Sequence, residues 1–234
     1  MGEMTSIKME GGKEMGAYLA LPKSGKGPGV LLGMSIVGVN FELRASADYF
    51  AELGYVVMAP NVFWRMDPKH QVDFSDEGLR RAEALLDRFN DDQGVADLGV
   101  AAKALRAMPQ CSGKVGSVGW CMGGRLVYLC AAAKSVDCAA AFYPTWIETK
   151  LDIVDSIDCP LSIHMPEEEP FAKVEHALEK VVERFKGRRN VDLFVYPGAA
   201  HGFDFPAPQP FNRYASRLAN SRIALFLNRT LGSK

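Results

Sequence analysis

The sequence predicts an α/β protein, in which a mostly parallel β-sheet is flanked by helices on both faces. Two observations predict this class. Short, nearly continuous apolar runs alternate along the chain with longer segments of helical periodicity. Such continuous apolar runs are typical of strands that are buried on both faces. An alternating order of strands and helices favours parallel strands joined by helical crossovers.

Six apolar runs are predicted as strands of this sheet, preceded by an antiparallel lead-in strand over residues 16–21. The six runs cover residues 29–34, 55–59, 114–119, 139–143, 160–165 and 191–196.

The segments between these runs are predicted as helices. In residues 42–53, Leu43, Ala47, Phe50 and Leu53 recur at spacings of four, three and three, which places them on one helix face. Gly54 then supplies a C-cap. The other predicted helices cover residues 76–89, 94–107, 122–134, 171–186 and 211–230. The proline-containing stretch 203–211 is expected to be an ordered loop before the last helix.

Size and composition indicate one globular domain over residues 1–234. Hydrophobic residues make up 48% of the 234 residues and the net charge is −1, so the chain can bury a core without disulfides or metals. No basic block suggests nucleic acid or an anionic membrane as a partner. Because no signal peptide or long apolar run occurs, we expect a cytoplasmic protein. Because the five cysteines include no CxxC pair, we expect no metal site. We also expect a monomer.

The most informative motif is Gly119-Trp120-Cys121-Met122-Gly123-Gly124, which follows a predicted strand and opens a predicted helix. This is the G-x-S-x-G nucleophile elbow with cysteine in the serine position, which predicts an α/β-hydrolase fold. Side chains at Gly119 and Gly123 would collide with neighbouring backbone at so tight a turn. The helix N-terminus favours a thiolate at Cys121, and the Met122 N–H is the expected oxyanion donor. A buried, inert cysteine is the alternative interpretation.

Position along the chain selects the general base. In α/β-hydrolases the chain order is nucleophile, acid, histidine. His201 follows the last predicted strand, where the base must lie. His70 precedes Cys121, His164 is expected to be a hydrogen-bonded core histidine, and His176 to be solvated.

The acid of the triad is not settled by the sequence. It should lie on the loop after residues 160–165, where Glu167, Glu168 and Glu169 are adjacent. Glu169 is the first choice to orient His201. Asp204 competes, because it lies three residues past His201.

The sequence resembles the dienelactone hydrolase (carboxymethylenebutenolidase) family over nearly its whole length. The motifs that carry the resemblance are residues 113–124 around Cys121, Gly38-Val39-Asn40 with Arg44 and Gly54-Tyr55, Gly94-Val95 with Asp97-Leu98, Phe142-Tyr143, and Ala200-His201-Gly202-Phe203. The resemblance implies an α/β-hydrolase fold and a Cys-His-Asp triad that hydrolyses a lactone or ester without a cofactor. It also implies a second oxyanion N–H from Ile36, and it puts Glu169 where the family's aspartate stands.

Departures from the family pattern concern the substrate. Ser35 replaces a glutamate that influences the resting thiol in well-known members. Of the two arginines that bind the substrate carboxylate in members acting on dienelactone, one falls near Leu79, where Arg80 and Arg81 are adjacent, and the other falls at Phe205. The anion clamp is therefore expected to be weakened.

An apolar acyl or lactone substrate fits the aromatic residues near the predicted site, although each could equally be plain core. These residues are Trp120, Tyr143, Trp146, Phe203 and Phe205. The predicted function is thus a cysteine hydrolase for a small-molecule lactone or ester, with an altered substrate pocket. The alternatives are a catalytically degenerate family member that binds a small molecule, and a thiol redox sensor.

Overall fold

The computed structural model describes residues 1–205 and 210–232, and the strands of this part form an eight-stranded sheet. The strand order is β1-β2-β4-β3-β5-β6-β7-β8, in which the β1–β2 and β2–β4 pairs are antiparallel and the others are parallel. The strands are β1 (Glu3–Lys8), β2 (Glu14–Ala20), β3 (Gly27–Gly33), β4 (Val56–Pro60), β5 (Cys111–Trp120), β6 (Cys138–Phe142), β7 (Leu161–Glu168) and β8 (Val191–Ala200). The predicted mostly parallel sheet is confirmed.

Strand β1 was not predicted, and its burial explains why. It is one of the two edge strands of the sheet, and among its six residues only Ile7 is fully buried. An edge strand that faces solvent on most sides has no apolar run, so the periodicity rules give no signal for it.

The helices match the predicted segments, with shifts at their ends. They are α1 (Phe41–Glu52), α2 (Asp76–Leu86), α3 (Asp91–Ala107), α4 (Met122–Ala132), α5 (Ala177–Phe185) and α6 (Arg213–Leu231). Helix α3 begins before the expected residue 94, because the Asn90 side chain accepts a hydrogen bond from the Gln93 N–H and caps the helix there. Helix α5 begins after the expected residue 171, since His176 has a left-handed backbone (φ 54°) that cannot continue a helix.

Helices cover both faces of the sheet, as two glycines of β5 demonstrate. A Cβ atom at Gly116 would meet Leu231 of α6, whereas one at Gly119 would meet the backbone of α4. Residues three apart in a strand point to opposite faces. The sheet therefore has helices on both faces, as predicted. The single-domain organisation stays a prediction.

An ordered loop was expected over residues 203–211. Its centre, residues 206–209, lies outside the described residues. No helix in the described part of the chain is long and apolar enough to cross a bilayer.

The parallel strands place the candidate site. Their carboxyl ends meet at one edge of the sheet, where open α/β sheets bind ligands. Five strands deliver residues there: β3 leads to Ile36, β5 to Cys121, β6 to Tyr143, β7 to Glu169 and β8 to His201.

Candidate active site

Cys121 occupies a strained turn between β5 and α4. Its backbone has φ 56° and ψ −122°, outside the regions that side-chain-bearing residues ordinarily adopt. A Cβ at Gly119 would lie 2.2 Å from the Gly123 carbonyl oxygen, and one at Gly123 would lie 2.1 Å from the Gly33 carbonyl oxygen. The expected steric reason for both glycines is therefore confirmed, and the turn has the geometry of a nucleophile elbow.

The Cys121 thiol is surrounded by groups that stabilise its anionic form. Thr145 Oγ1 donates a hydrogen bond to Cys121 Sγ at 3.2 Å, and the sulfur also interacts with His201 and the Met122 N–H. Burial is the largest single influence and raises the pKa of the thiol. The His201 charge and the three hydrogen bonds together outweigh it and hold the pKa of Cys121 below that of an ordinary thiol.

Other cysteines have the opposite electrostatic environment. Burial raises the pKa of Cys130 and of Cys138 to about 12, and it also raises the pKa of Cys159. A thiolate is the reactive form of cysteine. The elbow cysteine is thus set apart from these three by its surroundings as well as by its motif.

His201 lies between the thiol and a carboxylate. Its Nδ1 is 2.7 Å from Glu169 Oε2, and both side chains are largely buried. Because Nδ1 is engaged by Glu169, Nε2 is the ring nitrogen left to face Cys121. Burial, the largest single influence, lowers the pKa of His201. The negative charges of Cys121 and Glu169 and their hydrogen bonds overcome burial and raise this pKa to about 10.

The other candidate acids have different partners. Glu167 Oε2 accepts a hydrogen bond from the Gly198 N–H at 2.8 Å, and Glu168 is exposed. Asp204 accepts hydrogen bonds from Trp120 Nε1 at 2.8 Å and from the Tyr143 hydroxyl. Burial raises the pKa of Asp204 to about 6 against the effect of these hydrogen bonds. Among the candidates, Glu169 is therefore the carboxylate that the structure places on His201.

A cavity of about 390 Å³ opens in front of Cys121. Of the predicted site residues, Ser35, Ile36, Cys121, Tyr143, His201 and Phe205 line it, as does Trp146. Its remaining wall is largely apolar and includes Val37, Phe74, Leu79, Leu86 and Phe171. The Phe171 ring, 53% exposed as a residue, stands edge-on to His201 with ring centroids 4.8 Å apart. The thiol therefore faces a cavity whose wall is largely apolar.

Four residues expected at the substrate are not among the residues that line the cavity. Arg80 and Arg81 are exposed on α2 and do not line the cavity, because the face of α2 that lines it carries Leu79, Glu83, Leu86 and Asp87. Trp120 and Phe203 are buried behind its wall.

The remaining histidines serve the core and the surface. His164 is fully buried, with Nε2 3.0 Å from Ser162 Oγ and Nδ1 2.7 Å from Tyr196 Oη, which confirms a hydrogen-bonded core residue. His176 is exposed, as expected.

Several residues of the site were not predicted from the sequence, and three of them lie close to the predicted catalytic groups. Thr145 contacts the thiol, Phe171 lines the cavity, and buried His70 lies with Nε2 2.7 Å from the Ile36 carbonyl oxygen. Only Thr145 had a usable signal, since it closely follows the carboxyl end of a predicted parallel strand.

The fold and the site define an α/β-hydrolase: a parallel sheet between helices, with a nucleophile elbow facing a histidine held by a carboxylate. The dienelactone hydrolase family model matches residues 15–231. The chain belongs to this family.

Individual relatives cover almost the whole chain. The chain is 33% identical to a carboxymethylenebutenolidase from Pseudomonas sp. (strain P51), over 97% of this chain and 95% of the relative. It is 30% identical to carboxymethylenebutenolidase 1 from Cupriavidus pinatubonensis, over 95% and 94% of the two chains. A crystal structure of a Klebsiella pneumoniae protein assigned as a dienelactone hydrolase has a TM-score of 0.84 at 23% identity, covering 100% and 99%, which shows the same fold. The chain is accordingly a lactone or ester hydrolase of this family.

Proposed function

We propose that the chain hydrolyses an apolar lactone or carboxylic ester through a covalent thioester on Cys121. The observation that carries the proposal is the chain of contacts from Cys121 Sγ through His201 to Glu169 Oε2, 2.7 Å from His201 Nδ1. In the proposed roles, Cys121 is the nucleophile, His201 the general acid and base, and Glu169 the residue that holds the imidazole.

Acylation begins with the thiolate of Cys121 and the imidazolium of His201. The sulfur attacks the carbonyl carbon, a C–S bond forms, and the π-electron pair moves onto the carbonyl oxygen. When this tetrahedral intermediate collapses, the C–O bond to the alcohol or enol breaks. The leaving oxygen takes the proton from His201 Nε2, and a thioester remains.

Deacylation reverses these roles. Neutral His201 takes a proton from a water molecule, whose oxygen attacks the thioester carbonyl. The second tetrahedral intermediate expels the Cys121 thiolate, and the acid product leaves. His201 is then again an imidazolium beside the thiolate. Glu169 stabilises this charge without taking the proton.

Two backbone N–H groups are proposed to hold the oxyanion. The Met122 N–H interacts with the Cys121 sulfur at the start of α4, so it lies beside the carbon that the sulfur attacks. For Ile36, the Ser35 carbonyl accepts a hydrogen bond from the Gly38 N–H at 3.1 Å. Because the N–H of a trans peptide points away from its carbonyl, this turn fixes the direction of the Ile36 N–H. His70 fixes the next peptide through the Ile36 carbonyl.

The relatives' name describes a lactone with a carboxymethylene group, and the pocket supports a different substrate preference. No lysine or arginine is among the described residues that line the cavity. Phe205, at the position of one family arginine, lines it instead. We therefore propose an uncharged or apolar acyl group as the preferred substrate. The monomeric state and the cytoplasmic location stay predictions.

The test is hydrolysis of p-nitrophenyl acetate and butyrate and of cis- and trans-dienelactone by the wild type, Cys121→Ala and Cys111→Ala. Cys111 is a half-buried free thiol that does not line the cavity, so Cys111→Ala is the matched control. We expect turnover of the aryl esters, loss of at least about 10³-fold in Cys121→Ala, and wild-type rates in the control. Mass spectrometry of a rapidly quenched reaction should find the acyl group on the peptide that contains Cys121.

Other results would contradict specific parts of the proposal. Full activity in Cys121→Ala excludes the cysteine as nucleophile. Efficient turnover of the dienelactones shows that a carboxylate is accepted and overturns the proposed substrate preference.

A further inference from the structure

The mouth of the catalytic cavity carries negative charge from the end of α2. Glu83 and Asp87 both line the cavity. They lie one helical turn apart, since the Asp87 N–H donates to the Glu83 carbonyl at 2.9 Å. Both residues line the cavity and are also exposed to solvent, which places them where the cavity opens. We call this pair the acidic rim.

The helix end adds to this charge. Asp87 is the C-cap of α2, and the last turn of this helix contains no basic residue. A helix C-terminus carries partial negative charge, so a carboxylate there is electrostatically unfavourable. Because Leu86 and Asp87 line the cavity, the negative end of the helix and the two carboxylates act at the same place.

Compensating cations do not line the cavity. In the described part of the chain, no ion pair joins Glu83 or Asp87 to a basic side chain. The basic residues near them in sequence, Arg80, Arg81 and Arg88, are exposed and do not line the cavity. Residues 206–209, outside the described part, read Pro-Ala-Pro-Gln and carry no charge.

Two cations contact the ring of Trp146: Arg125, which is buried, and Lys173, which is exposed. Arg125 lies 4.5 Å from the ring centroid and is ion-paired with Asp91, and Lys173 lies 3.4 Å from the centroid. Neither lines the cavity. Apart from Cys121 and His201, the charged side chains among the described residues that line the cavity are those of the acidic rim. Apolar walls strengthen the effect of such charges on an entering ligand.

We propose that the acidic rim determines substrate specificity: Glu83 and Asp87 exclude acyl groups that end in a carboxylate and favour acyl groups that end in a cation. This inference rests on the proposed function and specifies its substrate class. Cys121, Glu83 and Asp87 line the same cavity, so in this proposal an acyl chain bound to Cys121 extends through the cavity and points its far end at the rim. At the rim, a distal carboxylate is repelled by two negative charges, and a quaternary ammonium is attracted by them. A methyl group carries no charge and is neither repelled nor attracted.

The test compares three p-nitrophenyl esters with the same leaving group and the same chain length. They are the hexanoate, the adipate monoester and the 6-(trimethylammonio)hexanoate, whose distal groups are neutral, anionic and cationic. Each kcat/KM is divided by the hydroxide rate constant of that ester, which removes intrinsic reactivity. The proteins are the wild type, the double variant Glu83→Gln/Asp87→Asn, and the control Asp76→Asn/Glu77→Gln. The control makes the same change in net charge at exposed positions of α2 that do not line the cavity.

We expect the wild type to prefer the cationic ester over the neutral one, and the neutral over the anionic ester by about tenfold or more at low salt. In Glu83→Gln/Asp87→Asn the ratio of cationic to anionic rates should fall by about tenfold. A ratio of rates from one preparation is insensitive to partial unfolding of the variant. The control should keep the wild-type ratio of cationic to anionic rates. Added salt should lower this ratio in the wild type, because the rim is exposed and its charges are screened.

The outcomes separate the inference from the proposed function. If no ester is hydrolysed, the proposed function fails and the inference fails with it. If the esters are hydrolysed by Cys121 at similar normalised rates, or if the control shifts the ratio as much as the rim variant does, the proposed function stands and the inference is overturned.

Discussion

His201 Nδ1 lies 2.7 Å from Glu169 Oε2, although the two residues are 32 positions apart in the sequence. The register of the sheet produces this contact. Glu168 pairs with Ala200 in the parallel β7–β8 ladder, and the His201 N–H donates to the Glu168 carbonyl at 3.2 Å. The next residue of each strand therefore emerges beside the other at the same edge of the sheet. A one-residue change of register would separate them.

This contact predicts that Glu169 can be distinguished from its neighbours. Glu169→Gln should lower kcat/KM for an aryl ester by about 10²- to 10⁴-fold, because the imidazole loses the carboxylate that stabilises its charged form. Glu168→Gln is the matched control, since Glu168 is adjacent and exposed, and it should retain wild-type kinetics. Equal losses in the two variants would remove Glu169 from the triad.

The charge of His201 predicts how Cys121 alkylation depends on pH. The pKa of Cys121 is lowered, so its thiolate should persist below the range in which ordinary thiols, with a pKa of about 8.5, lose their protons. Iodoacetamide labelling of the peptide containing Cys121, followed by mass spectrometry, should have its midpoint below that value. In His201→Ala burial is no longer opposed by the imidazolium, and the midpoint should move upward. An unchanged midpoint in His201→Ala would refute the ion pair between the Cys121 thiolate and the His201 imidazolium.

Thr145 is expected to position and stabilise the thiolate through the 3.2 Å hydrogen bond to Cys121 Sγ. Thr145→Val has nearly the same shape but no hydroxyl, so the pKa of Cys121 should rise and alkylation at neutral pH should slow by roughly threefold to tenfold. Thr145→Ser restores a hydroxyl and should recover most of the rate. A purely steric role would give the reverse order, with valine tolerated better than serine.

Backbone crowding at the elbow predicts a large cost at Gly123. Gly123→Ala puts a Cβ 2.1 Å from the Gly33 carbonyl oxygen and should lower the free energy of unfolding by at least about 2 kcal/mol. The comparison variant is Gly99→Ala in α3, where the nearest atom to the new Cβ is Ser135 Oγ at 3.4 Å. That change should raise stability by about 0.5–1 kcal/mol through helix propensity. Urea denaturation measures both values, and similar stabilities would contradict the tight packing of α4 on β3.

Asp204 is expected to stabilise the wall of the cavity through Trp120 and Tyr143. Asp204→Ala leaves the indole N–H and the phenol hydroxyl without their acceptor and should cost about 2–4 kcal/mol in chemical denaturation. Asp204→Asn, which keeps one acceptor oxygen, should cost less.

The pH dependence of stability provides a second readout for Asp204. Its folded-state pKa of about 6 lies above the unfolded value of about 3.9. The folded protein therefore binds more protons between these values, and its stability gains as the pH falls from about 6 to about 4. Asp204→Asn should lack this gain. An identical pH profile in the two proteins would show that Asp204 titrates normally.

Much of the fold and of the site was predictable from local pattern. Each parallel strand contains a largely apolar stretch, so β3 to β8 are visible in the sequence. The elbow glycines and Cys121 form a compact motif whose geometry is local. The ends of α3 and α5 were not predictable, because an Asn90 cap and a left-handed His176 decide them.

By itself, the sequence determined the α/β class, the elbow around Cys121 and His201 as the only histidine in the right order after the last strand. The sequence ranked Glu169 first but left Glu167, Glu168 and Asp204 open, and only the tertiary structure shows that the Glu169 carboxylate contacts His201. The physical reason is that strand register and side-chain direction decide which carboxylate reaches His201. The lining of the pocket was also decided by the tertiary structure. The orientation of α2 brings Glu83 and Asp87 to the cavity and leaves Arg80 and Arg81 in solvent. Residues adjacent in sequence point in different directions from a helix, so substrate preference depends on packing that no local pattern contains.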